Sequence, residues 1–372
     1  MSLYVIAVLL GLSTITAWLF TPKICQLSRL FQLLDEPAHR KVHSQPIPRL
    51  GGIAIALTFL LTTLVALIFW PDFYAFTKTQ FWAVLIGSVI IFATGLLDDI
   101  RGLDFRRKFL MQFLAAAIVV FGGGYSVRSI ELPFLEQPLL LSDWLSLGFT
   151  FLWIVGICNA INLVDGLDGL AGGVSSIALL FMMASAFLNH DTLSLAIYAS
   201  LLGGILGFLR YNFHPAQIFM GDAGALFIGF MLACSTIPPS TNSVSSFSLF
   251  TPVFALAFPI LDTVLAPVRR LLSGKHPFKP DMLHLHHRLL HQLCLNQRQA
   301  VIFIYLFSLL TGLLAFVHSA LAVLGILILY VILGVGLLFV SRRNSQREAM
   351  LFATRHSSAF VRKSLQREKL LS

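Results

Sequence analysis

The chain has 372 residues, of which 57% are hydrophobic and only 12% are charged, and its mean hydropathy is +0.84. Soluble domains carry about 25% charged residues, so this composition excludes a soluble protein and predicts an all-α polytopic membrane protein. The formal net charge of +9 does not indicate nucleic-acid binding, because the basic residues concentrate in the loops on one side of the predicted spans and in the C-terminal tail. The four cysteines show no CxxC pair and no disulfide framework.

Eleven stretches are candidates for transmembrane helices, each of which needs about 20 apolar residues. They lie near residues 3–22, 50–70, 81–97, 109–123, 144–162, 170–189, 193–209, 223–238, 249–268, 300–317 and 319–340. We interpret the first as a retained span, because no basic residue precedes it and no clear cleavage site follows. The sequence thus predicts one integral-membrane domain over residues 1–340 and a basic cytoplasmic tail over 341–372.

The orientation follows from Lys and Arg, which concentrate in cytoplasmic loops. An external N-terminus makes the inside loops 23–49, 98–108, 163–169, 210–222 and 269–299. Of the 26 basic residues, all except Lys78 and Arg128 then fall in these loops or in the tail. This segregation predicts that the N-terminus is outside and the C-terminus inside. The tail is either solvated or lies on anionic lipid.

The conspicuous polar clusters all lie on the inside face, which points to a site there. Asp98 and Asp99 end the third predicted span, and Lys108 follows in the same loop. Two adjacent carboxylates resist joint ionisation, so one can act as a base or both can bind a cation. The alternative interpretation is solvated charge at a helix end.

A second inside turn, NLVDGLDGLAGG, carries Asn162, Asp165 and Asp168 among glycines that permit close backbone approach. The glycines could equally serve helix packing, but acids at this depth are costly and usually functional. Asp222 in FMGDAG begins the eighth predicted span, where a purely N-terminal capping role is the alternative. Oxygen ligands from Asp and Asn suit Mg²⁺.

The longest inside loop carries His284, His286 and His287 in PDMLHLHH. Their spacing does not match the usual zinc patterns, so we expect them beside a phosphate rather than a metal. Two alternatives stay open. A secondary transporter would use Asp262 as its charge within a span, and a zinc-dependent membrane hydrolase would use the histidines.

Together these motifs resemble the polyprenyl-phosphate N-acetylhexosamine-1-phosphate transferases, the family of bacterial WecA, TagO and MraY. The resemblance runs from about residue 33 to 291, and LLDD, NAINLVDGLDGLAGG, FMGDAG and PDMLHLHH occur in the family's order. The segments DEPAHRKVH, IPRLGG and PFKPD are more similar to the WecA branch than to the MraY branch. The family fold also has about eleven spans, with its active site at the cytoplasmic face.

The resemblance implies a reaction between UDP-N-acetylglucosamine and undecaprenyl phosphate that gives the lipid-linked pyrophosphate sugar and UMP. It implies Mg²⁺ as cofactor, with Mn²⁺ as an alternative, held by Asp222 and Asn162. The catalytic residues would be Asp98, Asp99 and Lys108. The substrate-binding residues would be Asp165, Asp168, His284, His286, His287, Arg49 and Lys41.

The implied setting is the bacterial cytoplasmic (inner) membrane, where such a reaction is the first membrane step of a cell-surface glycan pathway. The expected partners are the two substrates and membrane lipids, with no nucleic acid. A homodimer is left open. Another UDP-N-acetylhexosamine as donor is the alternative within the same reaction.

Overall fold

In the computed structural model the described residues are 3–37, 45–70, 79–131, 137–237, 247–248, 250–272, 284–292 and 295–316. They are predominantly helical, which confirms the predicted all-α class. The helices are α1 (Leu3–Leu30), α2 (Gly51–Phe69), α3 (Thr79–Arg101), α4 (Phe105–Ala117), α5 (Asp143–Val164), α6 (Leu170–Leu188), α7 (Thr192–Asn212), α8 (Gly221–Thr236), α9 (Phe250–Ala255), α10 (Ala257–Leu272), α11 (Leu285–Gln292) and α12 (Gln297–Leu314).

Within the described ranges, seven helices are long and apolar enough to cross a membrane: α1, α2, α3, α5, α6, α7 and α12. This confirms a multi-pass membrane protein. Each predicted span up to residue 317 overlaps a helix. The last span, 319–340, and the tail lie outside the described residues, so the count of eleven, the orientation and the division at residue 340 stay predictions.

Two predicted spans differ in detail from the helices observed. The fourth, 109–123, begins earlier, as α4, and continues as a π-helical turn over Ile118–Gly122. The ninth, 249–268, is divided into α9 and α10. Hydropathy averages over such local changes in hydrogen bonding, so it could not locate them.

Short strands order the loops. β1 (Leu34–Asp35) pairs antiparallel with β2 (Ile47–Pro48). In a second sheet, β3 (Ser129–Glu131) lies between antiparallel β4 (Leu139–Leu140) and parallel β5 (Phe247–Ser248). The β1–β2 ribbon matters for the site because its end is tied to the segment before α8. There the Phe219 N–H donates to the Pro48 carbonyl at 2.7 Å.

Helix α8 lies at the centre of the fold and packs against α2, α3 and α5. Its first turn is approached very closely by two other backbones. A Cβ on Gly95 of α3 would lie 2.5 Å from the Ala223 Cα, and one on Gly52 of α2 would collide with the Gly224 backbone. Small residues let helix backbones meet in this way inside membranes. The first turn of α8 is thereby held by its neighbours.

Candidate active site

Asp222, in the first turn of α8, is the meeting point of three helices. Its carboxylate accepts a hydrogen bond from the Lys108 Nζ of α4 at 2.7 Å and another from the Asn162 Nδ2 of α5 at 2.7 Å. About a third of its side chain, 32%, remains exposed. The structure therefore brings together three residues that the sequence placed in three separate loops, and leaves the carboxylate reachable.

Lys108 links Asp222 to Asp98. Its Nζ donates to the Asp98 Oδ2 at 2.5 Å, while the other Asp98 oxygen accepts from the Leu103 backbone N–H at 2.5 Å. One ammonium group therefore lies between two carboxylates from different helices. The Lys108 side chain is only 19% exposed, so water screens these charges less than on an open surface.

Asp99 faces a different direction from Asp98 and is buried. Its two oxygens accept the backbone N–H groups of Asp222 and Ala223, each at 2.9 Å. Gly221 just before them has φ +71°, a left-handed conformation that glycine adopts without strain. The first N–H groups of a helix have no partner within it, and Asp99 supplies one for α8.

The turn that carries Asp165 and Asp168 is fixed from two sides at Gly169, whose φ is +76°. Its N–H donates to the Asn212 Oδ1 at 3.0 Å, and its carbonyl accepts from the Tyr305 hydroxyl at 2.5 Å. Because both backbone groups of one residue are held, the turn has a defined position at the mouth of the site.

The two acids of this turn have different surroundings. The Asp168 carboxylate accepts from the Ala216 N–H at 3.1 Å and lies 2.7 Å from the His214 Nδ1. Protein atoms surround the Asp165 carboxyl, although part of the residue faces the cavity. This desolvation, reinforced by repulsion from Asp222, Asp99 and Asp168, raises the pKa of Asp165 to about 8.

The histidine segment is tied to a buried acid on α10. Asp262 accepts the Leu285 N–H at 2.7 Å and lies 3.1 Å from the His284 Nδ1 and 3.6 Å from the His286 Nδ1. Asp262 is 1% exposed, and so is His286. The edge of the His286 ring also faces Gly166, where a Cβ would lie 2.5 Å from Nε2.

These groups surround an open cavity of about 940 Å³. Seven of the residues that the sequence predicted for the site line it: Arg49, Asp98, Asp99, Asp165, Asp168, Asp222 and His287. Lys108 and Asn162 reach the cavity wall through Asp222. His284 and His286 lie behind the wall, against Asp262. Lys41 lies outside the described residues.

Arg49 brings positive charge to this largely acidic wall. Part of the residue is exposed, but within the described structure its buried Nε has no hydrogen-bond partner. Its carbonyl lies against Gly221, so the end of the β1–β2 ribbon fixes the start of the side chain next to α8. A guanidinium in this position can bind a phosphate oxygen.

Sequence reasoning missed several residues that shape the site. His214, Asn212 and Tyr305 hold the Asp165–Asp168 turn, and Gln112 pairs with Asn159 on the neighbouring helix. His214 and Asn212 carried a usable signal, because both are polar residues between the end of a span and FMGDAG. Tyr305 and Gln112 carried none, since single polar groups in apolar runs are common.

Comparisons with known proteins identify relatives of the chain. A family model described as Glycosyl transferase family 4 matches residues 81–239. A Bacillus subtilis protein named probable undecaprenyl-phosphate N-acetylglucosaminyl 1-phosphate transferase is 37% identical over 322 residues, which are 86% of this chain and 87% of that protein.

Two further relatives have related names. The decaprenyl-phosphate N-acetylglucosaminephosphotransferase of Mycobacterium tuberculosis is 38% identical over 334 residues, covering 83% of this chain and 80% of its own. A phospho-N-acetylmuramoyl-pentapeptide-transferase of Thermoanaerobacter is 34% identical over 286 residues, covering 75% of this chain and 87% of its own.

Proposed function

Since the chain belongs to the membrane-embedded polyprenyl-phosphate N-acetylhexosamine-1-phosphate transferases of glycosyl transferase family 4, we propose that it transfers N-acetylglucosamine 1-phosphate from UDP-N-acetylglucosamine to undecaprenyl phosphate. The observation that carries the proposal is the convergence of Asp98, Lys108 and Asn162 on Asp222 beside one open cavity. Membership of the family makes the chain a phosphoglycosyl transferase. The identity of the donor sugar is part of the proposal.

The reaction exchanges one phosphoric anhydride for another. An oxygen of the acceptor phosphate attacks the phosphorus that is bonded to the sugar. The bond from that phosphorus to the oxygen shared with UMP then breaks, and UMP leaves with the bonding electrons. Because both reactants are anions, the site must supply positive charge. Lys108, and Arg49 with its unpaired buried Nε, are placed to supply it.

Asp98 and Asp99 remain the candidates for accepting a proton from, or orienting, the acceptor phosphate. The contacts favour Asp98, because the partner of its Oδ2 is the partly exposed side chain of Lys108 and not a backbone group. Both oxygens of Asp99 already accept backbone N–H groups. Asp165 and Asp168 would shape the nucleotide end of the cavity, and His287, which also lines it, would contact a phosphate.

The donor set around Asp222 fits Mg²⁺. The Asp222 carboxylate is a hard ligand, and the Asn162 amide, whose Nδ2 faces Asp222 here, would offer its oxygen to an ion after rotation of the amide. Mg²⁺ is often held by one or two carboxylates, with phosphate and water as the other ligands. The described residues contain no group of three or more His, Cys, Asp or Glu suited to hold a metal, so substrate oxygens would complete the coordination. When bound, the ion would offset the negative charge of the pyrophosphate.

The transporter alternative loses its main support in this site. It would use Asp262 as its charge within a span, whereas Asp262 contacts the histidine segment beside the cavity. We further propose that the protein resides in the bacterial cytoplasmic membrane, where undecaprenyl phosphate presents its phosphate at the headgroup plane. The reaction would begin a cell-surface glycan pathway.

A donor panel tests the proposal. The purified protein in detergent is given undecaprenyl phosphate, Mg²⁺ and one UDP-sugar at a time, and UMP release and product mass are measured. We expect UMP and undecaprenyl-pyrophosphoryl-N-acetylglucosamine with UDP-N-acetylglucosamine. If only a different UDP-N-acetylhexosamine gives product, that sugar nucleotide is the donor. If no UDP-sugar gives UMP, the proposed reaction is wrong.

A magnesium titration separately tests the metal site. Asp222→Asn should raise the Mg²⁺ concentration needed for half-maximal rate and lower the turnover. Unchanged activity and unchanged metal dependence would rule out Asp222 as a ligand. The same titration with Mn²⁺ shows whether that ion substitutes.

A further inference from the structure

Two amide side chains, one on α4 and one on α5, form a reciprocal pair behind the cavity. The Asn159 Nδ2 donates to the Gln112 Oε1 at 2.6 Å, and the Gln112 Nε2 donates to the Asn159 Oδ1 at 3.3 Å. The Asn159 amide also donates to the Val155 carbonyl of its own helix at 2.7 Å. Gln112 is 1% exposed, so its amide depends on this partner.

The pair lies one helical turn from the residues that contact Asp222. Lys108 precedes Gln112 by four residues on α4, and Asn162 follows Asn159 by three on α5. Residues three or four apart lie on the same face of a helix. The face of α4 that presents Lys108 is therefore joined, one turn deeper, to the face of α5 that presents Asn162.

A reciprocal amide pair fixes more than the distance between two helices. Both hydrogen bonds form together only when the two helices have one axial offset and one rotation, whereas apolar side chains pack at several offsets. Loss of Asn159 would leave the buried Gln112 amide unsatisfied, and loss of Gln112 would leave the half-buried Asn159 with only the Val155 carbonyl. The contact therefore selects one register of α4 against α5.

We propose that Gln112 and Asn159 are a positioning pair, which sets the register at which Lys108 and Asn162 converge on Asp222. The two 2.7 Å contacts of Asp222 come from different helices, so a slip of α4 along α5 would lengthen one of them. The inference rests on the proposed function for its kinetic readout. It assigns no contact with substrate to either amide.

The test replaces Gln112 with an apolar residue of nearly the same shape. We expect Gln112→Met to lower kcat about 10- to 100-fold, since displacements of about 1 Å at a reacting centre have effects of this size. It should also raise the half-saturating Mg²⁺ concentration. KM for UDP-N-acetylglucosamine should change less than about twofold, because the turn that carries Asp165 and Asp168 is held separately at Gly169 by Asn212 and Tyr305. The exchanged double variant, Gln112→Asn with Asn159→Gln, should recover much of the lost kcat.

A matched control breaks another hydrogen bond between α5 and a neighbouring helix. The Trp153 Nε1, in the middle of α5 and nine residues before Asn162, donates to the hydroxyl of Thr236, the last residue of α8, at 3.0 Å. Thr236→Val should cost some thermal stability and leave kcat and the Mg²⁺ dependence unchanged.

The outcomes separate this inference from the proposed function. Wild-type protein that releases no UMP contradicts the proposed function. An active wild type with unchanged kcat in Gln112→Met overturns the positioning role. So does a kcat loss matched by Thr236→Val, or one that the exchanged pair does not relieve. If Gln112→Met does not fold, the exchanged pair compared with Gln112→Asn alone gives the same decision.

Discussion

The carboxylate of Asp99 accepts the backbone N–H of Asp222, with 2.9 Å between the two heavy atoms. Asp99 therefore contacts the main chain of the residue whose side chain meets Lys108 and Asn162. The adjacent acid, Asp98, contacts Lys108 instead. Two neighbouring carboxylates thus act on the same residue from different sides, one through its backbone and one through a shared ammonium group.

Asp99→Asn should destabilise the protein more than Asp98→Asn does. An amide in place of Asp99 can accept from only one of the two N–H groups and turns its own NH₂ toward the other, at a cost of about 1–3 kcal/mol. Asp98→Asn keeps an acceptor for the Leu103 N–H and should mainly lower turnover. The measurement is thermal unfolding in detergent beside kcat, with Asp104→Asn as the control in the same loop. Equal loss of stability in both variants would contradict the different roles.

Lys108→Met should lower kcat by about 10²- to 10³-fold, the usual effect of removing one electrostatic group from a site. The same variant should bind Mg²⁺ more tightly than wild type, because the ammonium group no longer competes for Asp222 and Asp98. Activity and Mg²⁺ titration measure both effects. The exposed Arg107 offers a control, and Arg107→Met should leave both unchanged. Weaker Mg²⁺ binding by Lys108→Met would argue against competition.

Asp262→Asn and His287→Gln should lower activity for different reasons. Asp262 holds the histidine segment, so its replacement should reduce both thermal stability and turnover. His287 lines the cavity, so its replacement should reduce turnover with stability changed by less than about 0.5 kcal/mol. The double variant should lose less activity than the product of the single losses, because Asp262 holds the segment that carries His287. If the activity losses of the two single variants multiply in the double variant, the two residues act independently. His190→Asn on the exposed surface is the control.

Asp165 should make stability depend on pH. Its pKa of about 8 lies above the value of an unfolded chain, so the folded protein binds this proton more tightly. The folded state is therefore favoured at low pH, and this contribution is lost as the pH rises from about 4 through about 8. In metal-free buffer, thermal unfolding should show wild type losing stability relative to Asp165→Asn between pH 6 and pH 8.5. A constant difference between the two proteins over that interval would exclude the raised pKa.

The sequence predicted the class of the fold and most of the polar residues that the structure brings together around one cavity, because both predictions depend on composition and motif. Hydropathy identified the helices, and the one-sided polar clusters indicated which residues would meet. The sequence could not show that Asp98 contacts Lys108 while Asp99 contacts the backbone of α8. Consecutive residues on a helix point about 100° apart, and only the packing of the helices decides which group each one meets. The histidines of the HLHH segment are separated in the same way, and the partner Asp262 comes from another helix.

Gly52 and Gly95 contribute only a hydrogen atom each, yet the backbones of α2 and α3 reach the first turn of α8 through them. A methyl group at either position would push away the turn that carries Asp222. In a saturation mutagenesis map of the chain, these two glycines should therefore be as intolerant as the acids of the site. A reader ranking positions by tolerance alone would mistake them for groups that perform chemistry.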